Sequence, residues 1–323
     1  MSATVVVSQP IPQAGLQLLR ERFSAVRVME KGDREGLKAA LADADALLPL
    51  LTDPVNAELM DAGPKLQIIA NCAVGYDNID LEAAAKRGIP VTNTPGVLTR
   101  ATAEIAFALL ISLTRRIPEA DRFTRAGKFT GWDPLLLLGD ELAGRTIGVF
   151  GMGRIGRDFA KKCRAFDMRV IYHNRNPVSR DIEAELDARL VSFQALLAES
   201  DAVSIHAPLT EETRHRFDDD AFSHIPEGAY LINTARGELV DEAALVRALQ
   251  SGRLKGAGLD VYEFEPKVSP ELLEMENVVL LPHIGSATEE TRGAMASTAA
   301  RNIIAVLDGK PPLNLVPELR GRV

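Results

Sequence analysis

Thr146-Ile147-Gly148-Val149-Phe150-Gly151-Met152-Gly153-Arg154-Ile155-Gly156 decides the fold of this 323-residue chain. A short apolar run of strand character enters the pattern G-x-G-x-x-G, and a helix is read behind it over residues 154–166. The spacing has a physical reason: Gly151 permits a tight turn, Gly153 lets backbone approach a pyrophosphate, and Gly156 lets helix and strand pack closely. The free N–H groups and dipole of the helix start then favour bound phosphate. Alone, the pattern could be a glycine-rich turn with no ligand. With a strand before it, a helix after it and further βα units beyond, it predicts a dinucleotide site.

Those further units extend in both directions. Downstream, strands are read at residues 169–172, 202–205, 230–233, 258–261 and 278–281, with helices between most of them. Upstream, strands are read at 4–7, 45–50, 66–70 and 91–93, with helices at 11–23 and 81–87, the second stopped by Gly88. A long apolar helix is read at 101–117, a loop containing Trp132 at 127–139, and a final helix at 287–307. Unbroken apolar strands separated by helices predict parallel sheets covered on both faces. Two such series predict two α/β units, with a boundary near residues 95–100.

The strand after the glycine loop ends Tyr172-His173-Asn174-Arg175. An acidic residue there would accept from a ribose 2′-hydroxyl. None is present, and Arg175 could pair with a 2′-phosphate instead. NADP(H) is therefore expected in preference to NAD(H), which stays possible.

Functional side chains of open α/β sheets gather at the carboxyl ends of strands. Those ends nominate His206 and Pro208, then Thr234, Ala235 and Arg236, then Asp260 with Glu265 close behind, then His283 with Gly285 and Ser286. Singly, each has an ordinary explanation: a capping arginine, a solvated glutamate, a structural histidine. Together they suit hydride transfer to a small keto acid. A planar guanidinium holds a carboxylate and orients the carbonyl. Histidine delivers a proton near neutral pH, and a neighbouring carboxylate steadies the imidazolium. His206 reads as a cofactor-cleft residue, and His215 and His224, in charged surroundings, as surface residues.

The chain carries 37 Lys and Arg against 45 Asp and Glu, a formal net charge of -8, and is 46% hydrophobic and 25% charged. This composition excludes disorder, collagen and coiled coil. The acidic balance argues against a general nucleic-acid binder. Cys72 and Cys163 make no disulfide framework, and no Cys/His spacing suits zinc, so no metal is expected. Met1 to Val7 does not read as a signal peptide, and no apolar run approaches the ~20 residues of a spanning helix. A cytoplasmic protein without membrane partners is expected.

Over nearly its whole length the chain resembles the D-isomer-specific 2-hydroxyacid dehydrogenases. The likeness is carried by residues 71–80 (NCAVGYDNID), 93–104 (NTPGVLTRATAE), 148–156, 233–240 (NTARGELV), 256–261 with Glu265-Pro266, and 281–288 (LPHIGSAT). The glyoxylate/hydroxypyruvate reductase branch looks nearest, through His173-Asn174-Arg175 and the HIGSAT segment.

The resemblance implies two Rossmann-like or flavodoxin-like parallel-sheet domains. Residues 1–98 and 288–323 would form the substrate domain, with the dinucleotide domain, 99–287, inserted between them. Hinges would lie near 95–99 and 283–288, with closure excluding water. Arg236 would bind substrate, and His283 would donate the proton with Glu265 as its partner. Val74 and Gly75 would offer backbone N–H groups to the substrate carboxylate, while Leu50 and Ser286 join the substrate set. Leu51 and Trp132 could also shape the pocket. Thr102, Arg154, Ile155, Asn174, Thr213, Ala235, Asp260 and Gly285 would lie around the cofactor. Members are commonly homodimers.

The expected activity is NADPH-preferring reduction of glyoxylate or hydroxypyruvate to glycolate or D-glycerate. The alternatives are a bulkier keto acid resembling phenylpyruvate, or a dinucleotide-sensing corepressor-like protein, against which stands the want of an obvious partner-docking extension. A nucleophilic role for Cys72 is not expected, because no base is recognisable beside it.

Overall fold

In the computed structural model, which describes residues 3–323, the chain divides into two compact units: Met1–Leu98 with Ala287–Val323, and Thr99–Ser286. Met1 and Ser2, at the head of the segment read for a signal peptide, lie outside the described residues.

In the first unit, β1 (Thr4–Val7), β2 (Ala25–Val28), β3 (Ala46–Leu48), β4 (Ile68–Ala70) and β5 (Val91–Thr92) pair in parallel, in the order β2-β1-β3-β4-β5. This is the flavodoxin-like order. The inner strands β1, β3 and β4 are buried throughout, as expected of a sheet covered on both faces. The edge strand β2 is half exposed, and its Ala-Val-Arg-Val sequence has no unbroken apolar run, so the sequence reading passed over it. The final helix, Glu289–Leu307, packs on the helix Gln13–Arg22. A Cβ on Gly15 would lie 2.7 Å from the Ala296 backbone, so a glycine sits at their closest approach.

In the second unit, β6 (Thr146–Phe150), β7 (Arg169–His173), β8 (Ala188–Leu190), β9 (Ala202–Ile205), β10 (Ala229–Asn233), β11 (Leu254–Leu259) and β12 (Val278–Leu280) form a parallel sheet. Its order is β12-β11-β10-β9-β6-β7-β8. Strands β8, β7, β6, β9, β10 and β11 reproduce the doubly wound dinucleotide-binding order, and β12 extends the edge. The order reverses beside β6, so a ligand crevice is expected outside the carboxyl ends of β6 and β9.

Two sequence boundaries are corrected here. The strand read at 258–261 is β11, Leu254–Leu259, which starts earlier and stops before Asp260. Its two glycines lower β propensity, yet both are demanded by packing. A Cβ on Gly258 would lie 2.9 Å from Leu109 Cβ, and one on Gly256 would lie 2.6 Å from the Asn277 carbonyl oxygen. The helix read at 101–117 is Thr99–Thr114, and a second helix, Ile117–Arg125, follows. Arg116 between them is left-handed, with φ 52°, and Pro118 favours a fresh helix start over continuation. Strand β8, three half-exposed residues at the sheet edge, has no apolar run by which the sequence would mark it.

Candidate active site

The glycine loop leaves β6 at Gly151, whose φ of 103° suits glycine and no ordinary L-residue. A Cβ on Gly156 would lie 2.2 Å from the Gly151 carbonyl oxygen, which is why helix and loop need glycine there. Gly153 differs, because a Cβ on it would meet no atom within 4 Å. The protein therefore does not demand that glycine, whereas a ligand approaching the backbone would. Gly153 is also the N-cap of the helix Arg154–Arg164 and has no side chain to cap it. The first N–H groups of that helix thus keep their capacity for an anion. Asn174, at the end of β7, accepts from the Met152 N–H at 2.7 Å and ties the second strand to the loop.

A cavity of about 540 Å³ opens beside this loop, lined by Gly151, Gly153, Asn174, Arg175, His206 and Thr213 among others. Arg175 is exposed and has no carboxylate partner among the described residues. The Thr213 hydroxyl donates to Pro208 O and accepts from Thr210 N, both at 2.8 Å, closing the loop over the cavity's rim. His206 is 2.9 Å from the Ser204 hydroxyl, and burial lowers its imidazole to about 3. The lowered value favours the uncharged ring near neutral pH, and His206 lines the cavity.

The carboxyl ends of β10, β11 and β12 build the second half. Asn233 clamps the turn after β10: its side chain donates to Arg236 O at 2.8 Å and accepts from Ala235 N at 3.0 Å. A Cβ on Gly237 would fall 1.8 Å from the Tyr262 carbonyl carbon, so only glycine lets the Arg236 turn lie against the loop that carries Glu265. Arg236 itself donates to Ala235 O at 2.7 Å. Glu265 accepts from Tyr262 N at 3.1 Å through one oxygen and faces His283 Nδ1 at 3.0 Å through the other. Because a carboxylate accepts only, Nδ1 carries the hydrogen. Nε2, with no partner among the described residues, is the nitrogen left for proton transfer.

His283 has φ 54°. A non-glycine residue there stores about 1–3 kcal/mol of backbone strain, which persists only where the surroundings over-determine it. Asp260 supplies that restraint. It is 1% exposed, and its two oxygens accept from Ile284 N and Gly285 N, each at 2.7 Å. Burial raises the Asp260 carboxyl, with the two N–H donors opposing. Burial also pushes Glu265 upward, but the hydrogen bond and charge of His283, with the charge of Arg236, outweigh it and hold that carboxyl below its ordinary range.

The remaining nominated residues take varied positions. Thr102 is buried beside Gly285, where a Cβ would lie 3.4 Å from Thr102 Cγ2. The buried Thr234 hydroxyl has no hydrogen-bond partner among the described residues. Arg154 is exposed, while Ile155, Ala235, Leu50, Leu51 and Ser286 are half-buried. Trp132 is 84% exposed and so lines no pocket of its own unit. In the first unit, Val74 O accepts from the Asn93 side chain at 2.7 Å and Gly75 O from the Asn71 side chain at 2.8 Å. Both carbonyls are thereby engaged, and neither Val74 N–H nor Gly75 N–H is donated to an acceptor among the described residues. Burial pushes the Cys72 thiol up to about 12, which makes it a poor nucleophile.

Three further contributors escaped the sequence reading. Asn71 and Asn93 carry no local signal of their role, since both act through carbonyls of a neighbouring turn. Glu242 resembled a solvated first-turn glutamate, yet it is 4% exposed and accepts from Glu263 N at 3.1 Å and Ser269 N at 2.9 Å. Those bonds pin both ends of the loop carrying Glu265. Only the N-cap Asp241 beside it signalled anything, and that signal was for a helix start.

An uncapped helix start, an open Gly153 and an unpartnered Thr234 hydroxyl fit a nicotinamide dinucleotide. Among the described residues, no group of His, Cys, Asp or Glu could hold a metal ion, and no helix is long and apolar enough to cross a membrane. A dinucleotide-binding sheet with a histidine, a carboxylate and an arginine at its carboxyl edge defines an NAD(P)-dependent oxidoreductase. Residues 107–285 match the D-isomer specific 2-hydroxyacid dehydrogenase NAD-binding domain. A glyoxylate reductase of Thermococcus litoralis is 48% identical over 323 residues, covering 98% of this chain and 97% of that one. A Thermus thermophilus protein of solved structure superposes with a TM-score of 0.92 at 44% identity, covering 97% of this chain and 99% of that one. An NADPH-dependent glyoxylate/hydroxypyruvate reductase of Sinorhizobium meliloti, solved with NADP and malonate, gives 0.89 at 37%, covering 98% of each chain. The chain belongs to the D-isomer specific 2-hydroxyacid dehydrogenase family.

Proposed function

We propose that this protein reduces small 2-keto acids, glyoxylate and hydroxypyruvate among them, and prefers NADPH. The named relatives support the substrate class. The observation that carries the chemistry is the His283–Glu265 pair at 3.0 Å on a clamped, left-handed His283.

In this reading Arg236 holds the substrate carboxylate and turns the carbonyl toward His283. The cofactor, when bound, supplies the hydride. His283 passes its Nε2 proton to the carbonyl oxygen, and Glu265 steadies the ring while it is charged and fixes its orientation. Val74 and Gly75 offer two N–H groups to the substrate carboxylate, and Leu50 and Ser286 border the acyl group. Gly151, Gly153, Arg154, Ile155 and Gly156 serve the pyrophosphate. Asn174, Arg175, His206, Pro208 and Thr213 serve the adenosine half. Thr102, Thr234, Ala235, Asp260 and Gly285 serve the nicotinamide half. The NADPH preference is supported by Arg175, exposed at the end of β7 where NAD-binding sheets place an acid.

The reading includes a cytoplasmic homodimer. Phe129, Trp132, Leu135 and Leu138 expose 58–84% of their surface within one short stretch, an apolar patch suited to a second copy. Sedimentation of wild type and of a Trp132→Glu, Leu135→Glu variant tests this, and a wild-type monomer would sink it.

The decisive experiment mixes the purified chain with NADPH or NADH and a panel of 2-keto acids and follows loss of reduced cofactor. Turnover of glyoxylate or hydroxypyruvate with higher kcat/KM for NADPH is expected. A preference for aryl keto acids would overturn the substrate assignment, and a preference for NADH would overturn the cofactor assignment.

A further inference from the structure

Arg216 lies in the segment between β9 and β10 and lines the same cavity as Arg175. Its guanidinium carbon sits 4.1 Å from the centroid of the Phe193 ring. Phe193 is itself fixed edge-on against Phe150 and Phe217, each at 5.5 Å between centroids. The arginine is thus held over a rigid aromatic floor while remaining exposed. Other arginines of this unit are committed to carboxylates, Arg247 to Asp219 and Arg189 to Glu199 among them. Arg216 has no such partner among the described residues. Glu212 lines the cavity as well but makes no bond to either arginine. Two guanidinium groups against one carboxylate leave the cavity net positive at this end.

We propose that Arg216 is the second guanidinium of the site for the 2′-phosphate, and so a determinant of cofactor choice alongside Arg175. The inference rests on the NADPH reading above. A phosphate monoester presents three terminal oxygens, more acceptors than a single guanidinium fork satisfies. Arg175, on an exposed loop, would lose side-chain freedom on pairing, whereas Arg216 is already restrained by Phe193. The ring floor therefore serves to hold a cation ready for an anion that arrives with the cofactor.

Calorimetry on the full chain tests this with adenosine 2′,5′-bisphosphate and with adenosine 5′-monophosphate, which differs only in having no 2′-phosphate. Arg216→Ala should weaken the 2′,5′-bisphosphate by about 10- to 100-fold and the 5′-monophosphate by less than about 3-fold. Arg216→Lys should fall between wild type and alanine, since charge remains but the fork is lost. Arg216 is exposed, so the variants should keep the wild-type Tm. Equal losses for both ligands would mean an adenine contact and overturn the proposal, as would no loss for either. If wild type fails to favour the 2′,5′-bisphosphate, the NADPH reading falls and this inference with it. If wild type favours it, and Arg175→Ala removes that preference while Arg216→Ala does not, the role of Arg216 alone is refuted.

Discussion

His283 Nδ1 and Glu265 Oε2 stand 3.0 Å apart although 18 residues separate them in the chain. Two carboxylates that never touch the histidine ring maintain the pair: Asp260 clamps the turn behind His283, and Glu242 clamps the loop ends around Glu265.

Glu265→Gln should lower kcat for keto-acid reduction by about 10- to 100-fold, within the usual contribution of acid–base groups. The Glu265 carboxyl, held below its ordinary range beside His283, also bears on stability. A depressed carboxyl stabilises the fold above its unfolded pKa near ~4.3, and that contribution disappears as pH falls through the lower folded value. Steady-state kinetics on the variant check the first statement, and an undiminished kcat would contradict it.

The three loop glycines should separate folding from binding. Gly156→Ala places a Cβ 2.2 Å from a backbone oxygen, and no flexible side chain can yield there. A marked fall in Tm is expected, of the size of overpacking damage, about 1–3 kcal/mol. Gly153→Ala meets nothing within 4 Å, so its Tm should match wild type while dinucleotide affinity drops at least about 10-fold. Thermal unfolding and a fluorescence titration with NADPH, run on both variants, decide the matter. Undiminished affinity in Gly153→Ala would show that no ligand passes close to that backbone.

His206 should remain neutral across the working range, since burial lowers it to about 3. Its ring C–H resonances should not titrate between about pH 5 and 8, where an ordinary imidazole changes charge. An unfolded chain protonates this histidine near ~6.5, so the folded state loses stability progressively as pH drops below that value. His206→Gln should flatten part of that acid slope in urea unfolding. Titration of the ring near neutrality would refute the buried-neutral assignment.

The legible parts of this fold were those whose cause is local. β6 and its glycines announce themselves because strand, turn and helix start adjoin in sequence. The inner strands did likewise, being short, mostly apolar runs. Strands β2 and β8 were not legible because an edge strand needs no unbroken apolar run. Strand β11 was misplaced because its glycines answer to Leu109 and Asn277, which are distant in sequence. At the site, residue types at strand ends were readable, but their relations were not. Asp260 read only as a cofactor residue, because nothing local reveals that its oxygens hold N–H groups 24 and 25 residues later. Glu242 stayed hidden for the same reason, its partners lying 21 and 27 residues away.

Asn71 and Asn93 give this lesson a test in the first unit. Asn93 holds the Val74 carbonyl, which fixes the peptide plane carrying the Gly75 N–H proposed for the substrate carboxylate, and Asn71 holds the Gly75 carbonyl in the next plane of the turn. Asn93→Ala removes one such hydrogen bond, worth about 1 kcal/mol, and loosens that plane. KM for the keto acid should rise by about 3- to 10-fold, with kcat less affected and NADPH affinity unchanged. Asn93→Asp, which puts an acceptor against a carbonyl, should be worse than alanine. Initial-rate kinetics on both variants, paired with cofactor titration, separate the outcomes. An unchanged KM would mean that the turn's N–H groups do not meet the substrate, and a parallel loss of NADPH affinity would mean that the effect is general damage to the fold.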